Sequence, residues 1–206
     1  MRGAFAKEVT RALVALCVVL AAAAPICAAA QQRTQSEGPI VHNDIDYLDV
    51  TGNSKRELVE SLDRLSVADD NGKRFYGHTR WELRWNFNVT SEGTECRVTS
   101  VSVELNVRTS LPRWDPPRNA DPALIRRWDV FLDGLRMHEE GHRDIALAAA
   151  DEITQRIEAV RPAASCATLK RTVGIRANSL LAEYREKSRR YDQTTDHGRT
   201  QGAVLR

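Results

Sequence analysis

The amino-acid sequence predicts an α+β fold in which a small antiparallel sheet packs against two long antiparallel helices. Two stretches in the first half of the chain alternate apolar and polar residues, which is the period of a strand with one buried face. Beyond residue 121, apolar residues instead recur at helical spacing over about forty residues, and a second helical pattern follows Pro162. Strands that precede a run of helices are typical of the α+β class.

The first thirty residues have the composition of a secretory signal peptide. Arg2, Lys7 and Arg11 form a basic start, an uncharged apolar run follows, and small residues end the segment at Ala30. The apolar run is short and rich in alanine, which favours cleavage over retention as a membrane anchor. We therefore expect a mature chain that is periplasmic or secreted and has no stable membrane anchor.

Three segments are expected after the signal peptide at residues 1–30. Residues 31–42 are polar and aperiodic and predict a flexible linker, residues 43–198 form the folded domain, and residues 199–206 form a C-terminal tail. The stretch "IVHNDIDYLDVTG", which begins at the end of that linker, predicts a first strand. A capping box at the start of "SKRELVESLDRLSV", formed by Ser54 and Glu57, predicts a short amphipathic helix.

The two alternating stretches predict an antiparallel hairpin. In "HTRWELRWNFNV" every second residue is apolar, and "CRVTSVSVELNV" repeats this pattern after the turn "TSEGTE". The apolar phase of the second stretch slips by one residue at Thr99 and Ser100. A β-bulge at this point is the simplest explanation, because a bulge inserts one extra residue into a strand.

The rest of the domain is predicted to be two long helices. Asp121 caps the first helix, which begins with a proline and has an apolar stripe that continues to residue 160. A helix of about forty residues would be roughly 60 Å long, so we expect a bend at Gly134 or Gly141, or a helix that extends beyond the domain. The second helix is predicted over residues 167–191, and the tail after it is expected to be a loop.

The charge balance of the chain bears on whether it binds nucleic acid. The chain has 30 Lys and Arg residues against 28 Asp and Glu residues, and no basic block carries interleaved aromatic residues, so no nucleic-acid partner is expected.

Cys17 and Cys27 leave with the signal peptide. Cys96 and Cys166 remain, and two cysteines in an exported protein are expected to form one disulfide. The oligomeric state is left open.

The strongest functional signal is "HEEGH" in the first long helix. His138 and His142 are four residues apart, so their imidazoles can bind one metal ion from the same helix face. Zinc suits this arrangement, because it accepts neutral imidazole nitrogen and can keep an open position for water. Glu139 projects about 100° further round the helix, where it can reach that water as a general base. The pattern therefore predicts a catalytic zinc site.

The third zinc ligand is predicted to be His197, in the terminal stretch "YDQTTDHG". An antiparallel second helix regains the level of His142 near Lys187, after which the chain would leave the helix within reach of the metal. Glu183, Glu186 and Asp192 are the alternatives for this ligand.

Tyr191 is a further catalytic candidate. Its hydroxyl could point at the oxyanion that develops during hydrolysis, although a tyrosine that only packs is an equal alternative. His78 precedes the first alternating stretch and is expected to be a surface or turn residue.

An exported chain that combines "GHTRWELRW", "HEEGHRDIA" and "YDQTTDHG" resembles the bacterial domain-of-unknown-function family 922, described as predicted secreted zinc-dependent proteases. The resemblance covers residues 47–198. It implies a zincin-like architecture with an antiparallel sheet beside the active helix. It assigns His138 and His142 as ligands, Glu139 as the base and His197 as the third ligand. The family's proteolytic activity is itself inferred mostly from the motif, so the resemblance says little about the substrate.

The sequence thus predicts an exported zinc metallopeptidase that cleaves a peptide or protein substrate through a metal-activated water. Two alternatives stay open, namely a cell-wall amide hydrolase with the same site and a non-catalytic, zinc-stabilised periplasmic binding module. An edge strand of the sheet around residues 97–107 could hold an extended peptide by strand addition.

Overall fold

A computed structural model describes residues 35–36, 38–68 and 74–205, so the predicted signal peptide lies outside the described residues. The strands are β1 (Gln35–Ser36), β2 (Ile40–Val50), β3 (Val67–Ala68), β4 (Arg74–Phe75), β5 (His78–Glu92) and β6 (Glu95–Trp114). The helices are α1 (Lys55–Leu65), α2 (Pro122–Glu158) and α3 (Cys166–Thr195), followed by a 3₁₀ turn at Arg199–Gln201. The α+β class is confirmed.

The main sheet is built around β6. β5 pairs with one side of β6 in the antiparallel sense, whereas β1 and β2 pair with its other side in the parallel sense. The sheet is therefore mixed rather than wholly antiparallel, because a helix and three strands separate β2 from β6 and allow the chain to return in the same direction. Residues 97–107, which were expected at an edge, lie in this central strand. Residues 40–42, assigned to the linker, belong to β2.

The β5–β6 hairpin and its bulge are as predicted. Asn88 pairs with Ser100, but the next residue, Val89, pairs with Val98. Thr99 is therefore the extra residue on β6, at the point where the apolar phase of the sequence slips.

The helix α2 is uninterrupted over 37 residues. Its interior glycine Gly134 allows another segment to approach closely, because a Cβ there would lie 2.5 Å from the carbonyl carbon of Gly202. The chain after Gly202 packs against α2 and buries Ala203 and Leu205. The tail that was predicted as a loop is therefore part of the core, since its apolar residues cover one end of that core.

The helix α3 runs antiparallel to α2 and continues to Thr195, four residues beyond its predicted end. The predicted disulfide between Cys96 and Cys166 joins the start of β6 to the first residue of α3. Among the described residues, no helix has both the length and the apolar character needed to cross a membrane.

Two buried clusters hold these elements together. The first lies between the β5–β6 hairpin, α2 and α3 and includes Leu105 and Ile153. The second lies between α1, the end of β6, the first half of α2 and the tail, and it includes Leu58 and Phe131. The "HEEGH" segment of α2 lies at the junction of the two clusters, so packing on both sides fixes its position.

Candidate metal centre

His138 and His142 converge as their spacing on α2 predicts. Both side chains are buried, and their Nε2 atoms are 3.3 Å apart. Their ring centroids are 4.8 Å apart and the ring planes are nearly perpendicular. The two nitrogens therefore face a common point from one side of the helix.

Asp192, on the last turn of α3, completes a group of three donors. Its Oδ1 lies 3.2 Å from His138 Nε2 and 2.9 Å from His142 Nε2. These three residues could hold one metal ion, since their donor atoms all lie within 4.8 Å of one another. A tetrahedral site with bonds of about 2.0–2.1 Å separates its donors by about 3.3 Å. The observed separations are close to this value, so the residues fit a metal such as zinc.

A hydrogen-bonded cluster without metal explains these contacts less well. It would require both Nε2 atoms to carry hydrogens directed at the same Asp192 oxygen while they face each other at 3.3 Å. A cation removes this conflict, because all three atoms then act as lone-pair donors.

His197 lies beside this group rather than within it. Its Nδ1 is 3.4 Å from Asp192 Oδ1, and its ring packs 4.1 Å from that of Phe75. Glu183, the other alternative, is exposed and pairs with Lys187 at 3.4 Å. Of the residues considered for the third ligand, the structure brings Asp192 together with the two histidines.

The predicted level of α3 was nearly right, whereas its predicted end was wrong. The helix rise per residue predicts that Lys187 lies at the level of His142. The next residue, Ser188, does lie there, with its Oγ 2.8 Å from His142 Nδ1. Because α3 continues to Thr195, Asp192 is still helical one turn later and projects towards the histidines. His197 follows in the left-handed turn after the helix.

The outer nitrogens of both imidazoles have protein partners that the sequence analysis did not identify. His142 Nδ1 contacts Ser188 Oγ, and His138 Nδ1 lies 3.1 Å from Gln201 Oε1 and 3.3 Å from Thr195 Oγ1. Such partners orient metal-binding imidazoles. A serine or glutamine carries no sequence signal of this role, because only the folded chain brings it to the ring.

Glu139 is buried beside the two histidines. It is only 4% exposed, it lines the same pocket as both histidines, and its Oε2 has no hydrogen-bond partner among the described residues. A buried carboxylate oxygen without a partner is costly unless something else binds there. Burial raises the pKa of the Glu139 carboxyl, against a hydrogen bond from Thr79 and the nearby histidine charges, which lower it.

The histidines and Asp192 alter each other's protonation. Burial alone would lower the pKa of His138, but the hydrogen bond to Asp192, the Glu139 charge and the contact with Gln201 together raise it. Burial alone would raise the pKa of Asp192, but hydrogen bonds from His138 and His142 hold it well below its usual value. The Asp192 carboxylate therefore stays ionised, which is the form that binds a cation.

Tyr191 supports the histidines rather than facing the pocket. Its ring stacks on that of His138 with centroids 5.0 Å apart and planes inclined by 10°. Its hydroxyl oxygen accepts a hydrogen bond from Gln201 Nε2 at 2.9 Å and lies 3.5 Å from the Met137 carbonyl oxygen. The oxyanion role predicted for Tyr191 does not match this position, because its hydroxyl is engaged with α2 and the tail.

The site opens into a pocket of about 680 Å³. One wall is formed by residues 74–79, which include β4 and the start of β5, and another by the tail residues 203–205. His78 was expected on a surface or turn, but it lines this pocket and is half-buried. Burial lowers the pKa of His78, as do the charges of Arg80 and His142, so its imidazole is neutral near pH 7.

Comparison with known proteins gives one family match. Residues 45–198, well over half of the chain, match the family described as "Bacterial protein of unknown function (DUF922)". Neither a curated protein nor a solved structure matches the chain.

Proposed function

The chain belongs to the bacterial DUF922 family, whose function is unknown, and we propose that it is an exported zinc-dependent peptidase. The observation that carries the proposal is the placement of Glu139. Its buried carboxylate, with Oε2 unpartnered among the described residues, lines the same pocket as the convergent nitrogens of His138 and His142. A metal site that only stabilises the fold has no use for such an acid.

We propose that His138, His142 and Asp192 hold the zinc ion, with His197 beside them in the pocket wall. Three protein ligands and one open position are typical of catalytic zinc sites, whereas structural sites are closed by a fourth protein ligand. One imidazole pair and one carboxylate form a donor set that zinc uses in hydrolytic enzymes. The pocket next to these donors leaves room for water and a substrate.

When bound, zinc supplies a Lewis acid and lowers the pKa of a water molecule. Glu139 accepts a proton from the attacking water while the water oxygen forms a bond to the scissile carbonyl carbon. Glu139 then donates this proton to the departing nitrogen, and the carbon–nitrogen bond breaks. The raised pKa of Glu139 favours the first transfer, because a carboxylate whose pKa is closer to neutral is a stronger base, and the carboxyl then keeps the proton until the nitrogen departs.

An exported location agrees with two features of the chain. The basic and apolar start has the pattern of a signal peptide. The Cys96–Cys166 disulfide is the kind of bond that persists in oxidising compartments. We therefore propose that the peptidase works in the periplasm or outside the cell.

The proposal is tested by Glu139→Gln, which keeps the size of the side chain and removes its ability to take a proton. We expect zinc content to stay stoichiometric in the purified variant, while hydrolysis of an unfolded, labelled protein substrate falls by roughly 10²–10⁴-fold. Glu140→Gln is the matched control, because Glu140 is the neighbouring glutamate and is exposed. His138→Ala should lose the zinc itself.

Two results would refute the proposal. The metal site fails if the wild-type protein, supplied with zinc and then freed of excess, retains none. The mechanism fails if Glu139→Gln binds zinc and hydrolyses substrate as fast as Glu140→Gln does.

A further inference from the structure

We infer that Gln201 is a positioning residue that fixes the tautomer of His138 and thereby sets the metal affinity of the site. The inference rests on the proposed metal site, but not on hydrolysis. Gln201 lies in the tail, beyond residues 45–198 that match the family. Its Oε1 lies 3.1 Å from His138 Nδ1, and its Nε2 donates to the Tyr191 hydroxyl at 2.9 Å.

The direction of this hydrogen-bond chain is set at its far end by a main-chain carbonyl. The Met137 carbonyl oxygen can only accept, so the Tyr191 hydroxyl, 3.5 Å away, directs its hydrogen there. The hydroxyl oxygen is then free to accept from the Gln201 amide nitrogen. This turns the amide oxygen of Gln201 towards His138, where it can only accept a hydrogen from Nδ1.

A hydrogen on Nδ1 leaves the other nitrogen of a neutral imidazole as a lone pair. In His138 that nitrogen is Nε2, which faces Asp192 and His142. The reversed amide would donate an N–H to Nδ1 and would favour the tautomer with a hydrogen on Nε2. A metal could not bind that nitrogen until the hydrogen left, so the orientation of Gln201 prepares His138 for a cation.

The glycine of "HEEGH" makes this contact possible. A Cβ at Gly141 would lie 2.2 Å from the Tyr191 hydroxyl oxygen, so only glycine lets that hydroxyl reach the surface of α2. The hydroxyl then lies beside the Met137 carbonyl, one turn earlier on the helix.

Gln201 is held in place by the packing of its neighbours. Its main-chain N–H donates to the Gly198 carbonyl at 2.9 Å, and Ala203 N–H donates to the same carbonyl at 3.0 Å. Ala203 is buried against α2. The main chain of Gln201 is thus fixed by a packed turn, so less conformational entropy is lost when its side chain orients the imidazole.

His142 provides an internal comparison. Its outer partner is the hydroxyl of Ser188, which can donate or accept and therefore selects no tautomer by itself. Thr195 Oγ1, at 3.3 Å from His138 Nδ1, can accept as well, because its own hydrogen goes to the Tyr191 carbonyl oxygen at 2.7 Å. Loss of Gln201 should therefore weaken metal binding without abolishing it.

The experiment measures the zinc dissociation constant of the full chain by competition with a chromophoric chelator at fixed pH. We expect Gln201→Leu to raise this constant by about 10–100-fold, as loss of a residue that orients a ligand does. Gln201→Glu should keep the affinity within about threefold of wild type or improve it, because its carboxylate still accepts from Nδ1. Gln155→Leu, the same substitution at an exposed position of α2, should leave the constant unchanged.

A second variant tests the series of hydrogen bonds from Met137 to His138 without altering the tail. Tyr191→Phe keeps the stacked ring but removes the hydroxyl that orients Gln201, so it should weaken zinc binding several-fold. Added to Gln201→Leu, it should have little further effect, because both changes break the same series of hydrogen bonds. If Gln201→Leu lowers the unfolding midpoint of the metal-free protein, Tyr191→Phe and Gln201→Glu still decide the matter.

The inference is overturned if Gln201→Leu binds zinc as tightly as Gln155→Leu. It is also overturned if Gln201→Glu is as weak as Gln201→Leu, or if the effects of the Tyr191 and Gln201 variants are additive. A protein that binds zinc with this pattern but hydrolyses nothing would refute the proposed function and leave the inference standing. A wild-type protein that binds no zinc would overturn both.

Discussion

Replacing Gly141 by alanine should destabilise the protein, although alanine is the better helix former. The new Cβ would lie 2.2 Å from the hydroxyl oxygen and 2.3 Å from the Cζ atom of Tyr191, so the ring must move. Helix propensity alone would add about 1 kcal/mol to the free energy of unfolding. Overpacking costs about 1–3 kcal/mol. The net change is expected to be a loss of up to about 2 kcal/mol, with weaker zinc binding because the stacking on His138 is disturbed.

Gly174→Ala is the matched control. Gly174 also lies inside a long helix, α3, but a Cβ there meets nothing within 4 Å. This substitution should therefore raise the free energy of unfolding by about 1 kcal/mol. Urea unfolding of the two metal-free variants, followed by circular dichroism, measures the difference directly.

A Tyr191→Ala background makes the test decisive. Without the ring, the Cβ at position 141 has room, so Gly141→Ala should become stabilising there. The reasoning is refuted if Gly141→Ala and Gly174→Ala stabilise the wild-type protein equally, or if removing Tyr191 leaves the sign of the Gly141→Ala effect unchanged.

Two further predictions concern stability. Replacing Cys96 and Cys166 together by alanine should lower the free energy of unfolding by about 4 kcal/mol, since the disulfide spans a sequence separation of 70 residues; a urea midpoint equal to that of wild type would contradict this. Burial, followed by the hydrogen bond to Asp63, raises the pKa of Tyr76 to about 12. Stability from the protonated Tyr76 is therefore complete below about pH 10 and lost as pH rises through about 12, by about 1 kcal/mol for this half-buried ring. Tyr76→Phe should remove this part of the alkaline loss in unfolding titrations, and an unchanged pH dependence would contradict the assignment.

Local patterns in the sequence were enough to predict the three long strands, the three helices and two of the three donors of the candidate metal centre. Alternating residues predicted the hairpin, and the slip at Thr99 predicted its bulge, because strand period and bulges are properties of neighbouring residues. The spacing of His138 and His142 fixed their convergence, because helix geometry does not depend on the rest of the fold.

The remaining features depend on contacts between distant segments. No local pattern states that β2 joins β6 in the parallel sense, since that choice follows from the path of the chain between them. The prediction favoured His197 over Asp192 because helix ends are the least certain boundaries, and four further residues of α3 change which side chain reaches the histidines. Gln201 carried no signal, because a glutamine in a polar tail resembles any solvated residue.

The candidate metal centre lies between two cores, and this location affects how it fluctuates. The strand β6 contributes Leu105 to the first core and Leu111 to the second, and α2 likewise spans both. Opening the "HEEGH" turn would therefore disrupt packing on either side, so its amide hydrogens should exchange with solvent only through global unfolding. Faster amide exchange is instead expected along the outer strand β2, whose residues are mostly exposed. A molecule that enters the pocket would thus meet a rigid floor, and any adaptation to its shape must come from the pocket walls at residues 74–79 and 203–205.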